Sequence, residues 1–312
     1  MFNFEKVDIY ICSKPLQYLN ICNIPNCSTN KKILIVQNAF YKAAEFSNNI
    51  RLTEKQWDKV YIVNGYNWFF YVLRYRVENL YFGLDTTIVG IVHFIKRFNF
   101  FLYEEGAGIY RQLQIQSKYK AIAGIIGTNT VMGRSNYISK IYVYYPDYYK
   151  TQVLPSCQVL PFKHSCREII KEYANKFMRL CGVDINEEFY LNIKNSNILL
   201  YITDWEYQAS TIKMMEDHKK DFDFLFIKPH PHIKSENMPK IDGVNVIYTN
   251  LVVEMIIEIW LQNNNSITVY HQDSTAITPF GDEIKSINTN NTKYSRVIEH
   301  IKQLSLKLNS NG

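Results

Sequence analysis

Short apolar runs alternate with amphipathic stretches along the first half of the chain. The apolar runs predict strands, and a helical pattern follows each of them. Continuous apolar strands separated by helices are typical of a parallel sheet that is covered on both faces. We therefore predict an α/β fold, whose first strands occupy residues 7–13, 32–37 and 58–63.

The same alternation restarts in the second half of the chain. The apolar runs there predict strands at 197–202, 222–228, 244–248 and 267–271, and amphipathic patterns predict helices at 166–181, up to Met214, 251–261 and 294–308. Between the halves, a strand at 141–145 is followed by a stretch with prolines at 146, 155 and 161, which we interpret as an irregular crossing.

The chain has 312 residues, about twice the length of an ordinary domain. We expect two domains, 1–155 and 156–312. Ligands of parallel sheets gather at the carboxyl ends of the strands. Functional residues should therefore follow strands directly.

Composition narrows the class of protein. Hydrophobic residues at 47% and charged residues at 21% exclude disorder, collagen and coiled coil for the whole chain. The net charge of +6 indicates mild attraction to phosphates, nucleotides or an anionic membrane, and is too small to indicate nucleic acid. The six cysteines show no CxxC or zinc-type spacing, so we expect reduced thiols and no metal site.

The N-terminus carries no secretory signal pattern, so we expect a cytoplasmic protein. Basic residues interrupt the most apolar stretches, 68–73 and 88–102, well before a bilayer-spanning length. Buried helices and a buried strand are our explanation for the aromatic and basic stretches 68–76 and 93–103. Peripheral contact with the inner face of the cytoplasmic membrane is the alternative.

Two adjacent carboxylates follow a predicted strand at 98–103. Glu104 and Glu105 precede Gly106, which permits a sharp turn. Consecutive side chains of a strand point to opposite faces, so the two carboxylates are not expected to act as a glycosidase pair. One of them is a candidate general base, and a solvated acidic turn explains the same residues without chemistry.

A second candidate follows the strand 222–228. Lys228 precedes Pro229, His230, Pro231 and His232, and the prolines hold the backbone extended. A fixed imidazole at a strand end can donate a hydrogen bond or a proton to a departing phosphate. A structural histidine is the competing explanation, and two histidines without a third ligand do not predict a metal.

Hydroxyl groups follow the strand 267–271. Ser274 and Thr275 would begin a helix whose free amides suit a phosphate, although ordinary capping explains them equally well. Glu254, at the start of the helix 251–261, is a candidate for binding ribose hydroxyls or for complementing the helix dipole.

The order of these motifs resembles that of the bacterial sialyltransferases. Those enzymes share an acidic-acidic-glycine motif, a His-Pro motif and a Ser-Ser/Thr motif, and Glu104-Glu105-Gly106, His230-Pro231 and Ser274-Thr275 follow that order. The segments 14–17 and 139–146 resemble the lipooligosaccharide and capsule branch, so the resemblance spans most of the chain. The usual acidic motif contains at least one Asp, whereas both positions here are Glu.

The resemblance implies a GT-B fold, in which two Rossmann-like lobes with parallel sheets face a central cleft. It implies acceptor contacts from the first lobe and CMP binding by the second. Glu104 would be the general base, with Glu105 as support, and His230 would protonate or stabilise the departing phosphate. The residues expected to contact CMP are Glu254, Ser274, Thr275 and Lys228.

The implied activity is the inverting transfer of sialic acid from CMP-sialic acid to a glycan hydroxyl, with galactose expected in a lipooligosaccharide, capsule or O-antigen. No metal or other cofactor is implied, and the sequence has no DxD motif. One alternative is a same-fold transferase that uses Kdo, another nonulosonate or a UDP-sugar. A non-catalytic carbohydrate-binding or assembly protein is the alternative of another class. The linkage and the oligomeric state, including a homodimer, stay open.

Overall fold

The computed structural model describes residues 5–25, 28–111, 124–183, 189–204, 206–230, 233, 241–290, 292 and 295–310. The chain divides into two compact units, Met1–Ser165 and Cys166–Gly312. Each unit is built around one parallel sheet, and each is described by itself below.

The first unit contains a seven-stranded parallel sheet. Its order is β3-β2-β1-β4-β5-β6-β7, and β1, β2 and β5 are mostly apolar and buried. β1 pairs with both β2 and β4, so it lies at the point where the strand order reverses. The strands are β1 (Lys6–Cys12), β2 (Lys31–Gln37), β3 (Lys59–Val63), β4 (Arg76–Phe82), β5 (Asn99–Tyr103), β6 (Ile138–Val143) and β7 (Gln158–Pro161).

Helices cover both faces of this sheet. Right-handed crossovers place the helices that follow β1 and β2 on one face and those that follow β3 and β4 on the other, because the strand order reverses at β1. The helices are α1 (Pro15–Cys22), α2 (Ala43–Thr53), α3 (Trp68–Arg74), α4 (Thr87–Lys96) and α5 (Pro146–Val153).

The stretch with prolines at 146, 155 and 161, which was predicted to be an irregular connection between the domains, contains a helix and a strand. Pro146 is the first residue of α5, where its missing amide hydrogen costs no helical hydrogen bond. β7 pairs in parallel with β6 at the edge of the first sheet. The first unit therefore continues to Ser165, whereas the sequence placed the division near residue 155.

The second unit contains a five-stranded parallel sheet of order β10-β9-β8-β11-β12. β8 lies at its centre, between β9 and β11. The strands are β8 (Asn197–Ile202), β9 (Phe224–Lys228), β10 (Val244–Val246), β11 (Ser266–His271) and β12 (Lys285–Asn288). The helices are α6 (Cys166–Leu180), α7 (Ala209–Asp217), α8 (Val253–Gln262) and α9 (Ser295–Ser310).

A buried ion pair joins two helices of the second unit. Arg167 of α6 pairs with Glu258 of α8, and both side chains are almost fully buried. A second nitrogen of Arg167 lies 2.9 Å from Glu283, and its guanidinium lies 4.6 Å from the centre of the Phe280 ring. Removing one partner would leave a buried charge unpaired. Arg167 thus fixes the 3₁₀ helix Thr275–Phe280, which begins at one of the candidate motifs.

None of the described helices is both long enough and apolar enough to span a lipid bilayer.

Candidate active site

The carboxyl ends of four neighbouring strands gather polar groups in the first unit. The segment 13–17 follows β1, Gly83 follows β4, the segment 104–106 follows β5, and Tyr144 follows β6. Parallel strands end at the same edge, so these segments meet there.

Glu104 is held in a buried position at this edge. Its side chain is 6% exposed, and its Oε2 accepts two hydrogen bonds. The Tyr110 hydroxyl donates one at 2.5 Å, and the backbone amide of Tyr144 donates the other at 2.9 Å. Tyr110 lies in the 3₁₀ helix Ala107–Arg111, so a short turn brings it back over the strand end.

Burial changes the acidity of Glu104. Loss of solvation raises its pKa to about 7, and the hydrogen bonds from Tyr110 and Tyr144 oppose that rise. A carboxylate with a pKa near the working pH can both accept and release a proton. The side chain therefore has the acidity that suits a general base.

Glu105 has different surroundings. Its Oε2 accepts a 2.5 Å hydrogen bond from Gln17 and lies 3.9 Å from the Lys14 ammonium. Gln17 is itself fixed, because its Oε1 accepts hydrogen bonds from the amide and the hydroxyl of Ser13. Gly83 leaves room here, since a Cβ at that position would lie 3.2 Å from Gln17 Nε2. Glu105 thus binds the loop after β1, while Glu104 binds the loops after β5 and β6.

The backbone of the acidic motif is also anchored. The Asn20 side-chain amide donates a 2.7 Å hydrogen bond to the Glu104 carbonyl, and its Oδ1 accepts a 2.6 Å bond from the Tyr144 hydroxyl. Gly106 has φ of 134°, a backbone conformation that side chains with a Cβ rarely adopt. The turn that directly follows the two carboxylates therefore depends on this glycine.

The His-Pro motif follows β9 in the second unit. The His230 amide donates a 2.8 Å hydrogen bond to Thr203 Oγ1, which follows β8. The Lys228 ammonium donates a 3.0 Å hydrogen bond to the Thr249 carbonyl, in the loop before α8. These bonds fix the strand end that carries His230. Pro231 and His232 lie outside the described residues.

The Ser-Thr motif follows β11. Ser274 caps the 3₁₀ helix Thr275–Phe280, and its Oγ accepts a 3.3 Å hydrogen bond from the amide of Ala276. The residue before the motif, Asp273, has φ of 51°. Its carboxylate accepts hydrogen bonds from the side chains of Asn288, Thr292 and Ser295.

Two further side chains tie the strand ends of the second unit together. Gln272 Oε1 accepts hydrogen bonds from the Tyr201 hydroxyl at 2.9 Å and the Asp204 amide at 3.0 Å. His271 is 3% exposed, and burial lowers its pKa to about 4. Its neutral ring accepts a 3.3 Å hydrogen bond from the Ser274 amide. The loops after β8, β9 and β11 therefore form one hydrogen-bonded edge.

Glu254 is the second residue of α8, in the first turn, and is 8% exposed. The hydrogen bond from Lys228 to Thr249 ties β9 to the loop that leads to this helix. The second unit thus collects Lys228, His230, Glu254, Ser274 and Thr275 at the carboxyl edge of its sheet. Glu104 lies at the corresponding edge of the first unit.

Several residues that hold the strand ends of each unit were not predicted from the sequence. Tyr110 and Thr203 belong to no sequence motif. A 3₁₀ turn brings Tyr110 to Glu104, and the end of the neighbouring strand brings Thr203 to His230. Tyr144 lies in the segment 139–146, which contributed to the family resemblance, but no role was predicted for this residue. Polar residues directly after the predicted strand 197–202 were the available signal for Thr203.

The described part of the chain shows no cluster of three His, Cys, Asp or Glu side chains that could hold a metal ion. No disulfide bond joins any two of the five cysteines within it.

Two solved enzymes share the fold over nearly the whole chain. A UDP-N-acetylglucosamine 2-epimerase from Rickettsia bellii is 14% identical with a TM-score of 0.54, covering 97% of this chain and 88% of the epimerase. A UDP-GlcNAc 2-epimerase from Neisseria meningitidis, bound to UDP-GlcNAc, is 12% identical with a TM-score of 0.52, covering 96% and 91%. At such identities the likeness shows the fold class, GT-B, and nothing further.

Family membership comes from the sequence itself. No curated protein matches it significantly. The model of the alpha-2,8-polysialyltransferase (POLYST) family matches residues 88–281, which is more than half of the chain. The match includes Glu104, His230, Glu254, Ser274 and Thr275. The chain therefore belongs to the alpha-2,8-polysialyltransferase family and is a glycosyltransferase of the sialyltransferase type.

Proposed function

We propose that the chain transfers sialic acid from CMP-sialic acid to a hydroxyl of a glycan acceptor, with inversion at the anomeric carbon. One observation carries the proposal. In a chain of this family, a buried carboxylate with a pKa raised to about 7 lies at a strand end, where parallel sheets bind ligands.

Glu104 is the base in this scheme. Both of its hydrogen bonds are accepted by Oε2, which leaves Oε1 to take the proton of the acceptor hydroxyl. The acceptor oxygen attacks the anomeric carbon as the bond from that carbon to the phosphate oxygen breaks. The electron pair of the broken bond leaves with CMP. Attack from the side opposite the leaving group inverts the configuration.

The second unit is proposed to bind the donor. His230 donates a proton or a hydrogen bond to the departing phosphate, and its fixed backbone supports that role. Ser274 and Thr275 bind the phosphate through hydroxyls and amides at the start of the 3₁₀ helix. Lys228 adds a positive charge at the strand end, and Glu254 holds the ribose hydroxyls.

The linkage in the family's name indicates which hydroxyl of the acceptor is used. The alpha-2,8 linkage leads us to propose the 8-hydroxyl of a terminal sialic acid as the acceptor group. A galactose hydroxyl, the expectation from the sequence, is the competing acceptor. The product would belong to a capsule, lipooligosaccharide or O-antigen.

Catalysis is proposed to need no metal or other cofactor. The leaving group is a monophosphate, which carries less charge than a diphosphate. His230, Lys228 and the amides near Ser274 can neutralise it.

The place of action is part of the same proposal. We place the enzyme in the cytoplasm, in peripheral contact with the inner face of the cytoplasmic membrane. Its partners are the CMP-sugar donor and the glycan acceptor, and a homodimer is the alternative to a monomer.

A donor-by-acceptor screen tests the function. CMP-sialic acid, CMP-Kdo and UDP-N-acetylglucosamine are each offered with a sialylated and a galactose-terminated oligosaccharide, and products are identified by mass spectrometry. We expect transfer from CMP-sialic acid to the sialylated acceptor, and no transfer with Glu104→Gln. Transfer only from another donor would overturn the donor assignment. Binding of CMP-sialic acid without acceptor-dependent CMP release would indicate a binding protein.

A further inference from the structure

An exposed surface of the first unit is both apolar and basic. Half of the large apolar side chains that are exposed in the described part of the chain fall between residues 62 and 95. Phe70 is 59% exposed, Phe94 51% and Ile95 61%. We call the group the α3–α4 surface; it comprises Tyr66, Phe70, Arg74, Arg76, Ile91, Phe94, Ile95, Lys96 and Arg97.

The side chains that α3 and α4 contribute to this surface share one face of the unit. Right-handed crossovers put α3 and α4 on the same face of the first sheet, and the two helices pack against each other. Trp68 and Val72 of α3 are fully buried. Ile91, Phe94 and Ile95 have the i, i+3, i+4 spacing of a single helical stripe, and that stripe is exposed.

The charge of the α3–α4 surface has one sign. Arg74, Arg76, Lys96 and Arg97 are all exposed. The acidic residues of the segment 62–97 are Glu78, which pairs with Lys6 at 2.8 Å, and Asp85, which is 0% exposed. The Arg97 guanidinium lies 5.0 Å from the centre of the Phe94 ring, so charge and apolar surface are adjacent.

We propose that the α3–α4 surface docks on an anionic phospholipid bilayer. Aromatic and aliphatic side chains enter the headgroup region, while Lys and Arg pair with lipid phosphates. A second copy of the chain fits this surface poorly, because a two-fold interface would bring its four cations against the same four. This proposal rests on the membrane contact proposed above and names the surface that makes it. It does not depend on sialyl transfer, since none of these side chains is assigned to the reaction.

Vesicle co-sedimentation of the full chain tests the proposal. The probes are vesicles of phosphatidylglycerol with phosphatidylethanolamine, and phosphatidylcholine vesicles as the uncharged counterpart. We expect binding to the anionic vesicles alone, and weakening in about 0.5 M sodium chloride because salt screens the charges.

A matched pair of double variants locates the surface. Phe94→Ser with Lys96→Gln removes one apolar and one basic side chain from the α3–α4 surface. Leu52→Ser with Lys55→Gln removes the same kinds of exposed side chain at the end of α2, on the opposite face of the sheet. The first double variant should lower the vesicle partition coefficient at least about tenfold, and the second should change it less than about twofold.

Transfer to a soluble acceptor without vesicles reports folding of both variants, and activity should be unchanged. If the first double variant folds poorly, the double variant Arg74→Gln with Lys96→Gln replaces it, because both positions are exposed. Three outcomes would overturn the proposal: no binding of the wild-type chain to anionic vesicles, equal binding to phosphatidylcholine vesicles, or an equal loss of vesicle binding in the two double variants. A dimer that dissociates with Phe94→Ser in sedimentation velocity would instead assign the surface to a second copy.

Discussion

The Tyr110 hydroxyl donates a 2.5 Å hydrogen bond to Glu104 Oε2. The bond stabilises the charged form of the carboxylate and so opposes the effect of burial, which raises the pKa of Glu104 to about 7. Tyr110 itself is 1% exposed and lies against Tyr149 and Tyr148. Its position is therefore fixed by packing, and in the proposed reaction its role is to position and charge Glu104.

The first prediction follows from this bond. Tyr110→Phe should raise the pKa of Glu104, because the charged carboxylate loses a donor. The rise in kcat with pH, which depends on the ionised base, should move upward by about one pH unit. The pH profile of sialyl transfer measures the shift. Tyr148→Phe is the matched control, since its ring stacks on Tyr110 at 5.7 Å and should leave the profile in place. A profile that stays unchanged in Tyr110→Phe would show that Glu104 does not limit the rate.

The second prediction separates the two carboxylates. Glu104→Gln retains size and hydrogen bonding but removes the base, so turnover should fall about 10²–10⁴-fold while CMP binding survives. Glu105→Gln keeps an acceptor for Gln17 and should cost less. Steady-state kinetics and CMP titration of both variants check this. The reverse order of effects would assign the base to Glu105.

The third prediction concerns the leaving group. His230→Ala should lower turnover more than donor affinity, because the stabilisation it removes grows in the transition state. His232→Ala is the matched histidine control and should retain most activity. With a donor analogue whose leaving group needs no protonation, the His230→Ala defect should shrink. A defect of the same size with that analogue would mean that His230 positions the donor and is not the acid.

The fourth prediction is that sialyl transfer persists in excess EDTA. His230, Lys228 and backbone amides are expected to neutralise the departing monophosphate. The rate in EDTA should stay within about twofold of the untreated rate. Complete loss that magnesium or manganese restores would contradict it.

The fold was largely predictable because buried parallel strands are continuous apolar runs. β8 was predicted with its observed bounds, Asn197–Ile202. β4 was not predicted, because Arg76, Glu78 and Asn79 interrupt the apolar pattern of its first half. α5 and β7 were hidden by prolines at positions that regular structure tolerates, the first turn of a helix and the end of an edge strand.

The candidate site was predictable only in part. The strand ends that carry Glu104 and His230 follow from the apolar pattern. The partners of Glu104 do not, because Tyr110 and Tyr144 approach it from elements 6 and 40 residues away. The burial of Asp85 was not predictable either, because it depends on the loop 133–135, which folds over this side chain.

The fifth prediction concerns Asp85, which follows β4 and is fully buried. Its Oδ2 accepts hydrogen bonds from the Gly133 amide at 3.0 Å and the Ser135 hydroxyl at 2.9 Å. Its Oδ1 is buried and makes no hydrogen bond within the described part of the chain. Burial raises the pKa of Asp85 from 3.8 to about 7. Between these two values the folded chain holds a proton that the unfolded chain releases, so this carboxyl makes the protein less stable as the pH rises.

Asp85→Asn keeps an acceptor oxygen for Gly133 and Ser135 but cannot ionise. We expect the loss of unfolding free energy between about pH 5 and about pH 8 to shrink by about 1–3 kcal/mol in this variant. Urea unfolding of wild type and variant at both pH values measures the difference, and other titrating groups such as His271 cancel in the comparison. Asp147→Asn, whose side chain is 98% exposed, should leave the pH dependence as in wild type. If Asp85→Asn showed the same pH dependence as wild type, Asp85 would have to titrate at an ordinary pKa, with its buried oxygen reached by water.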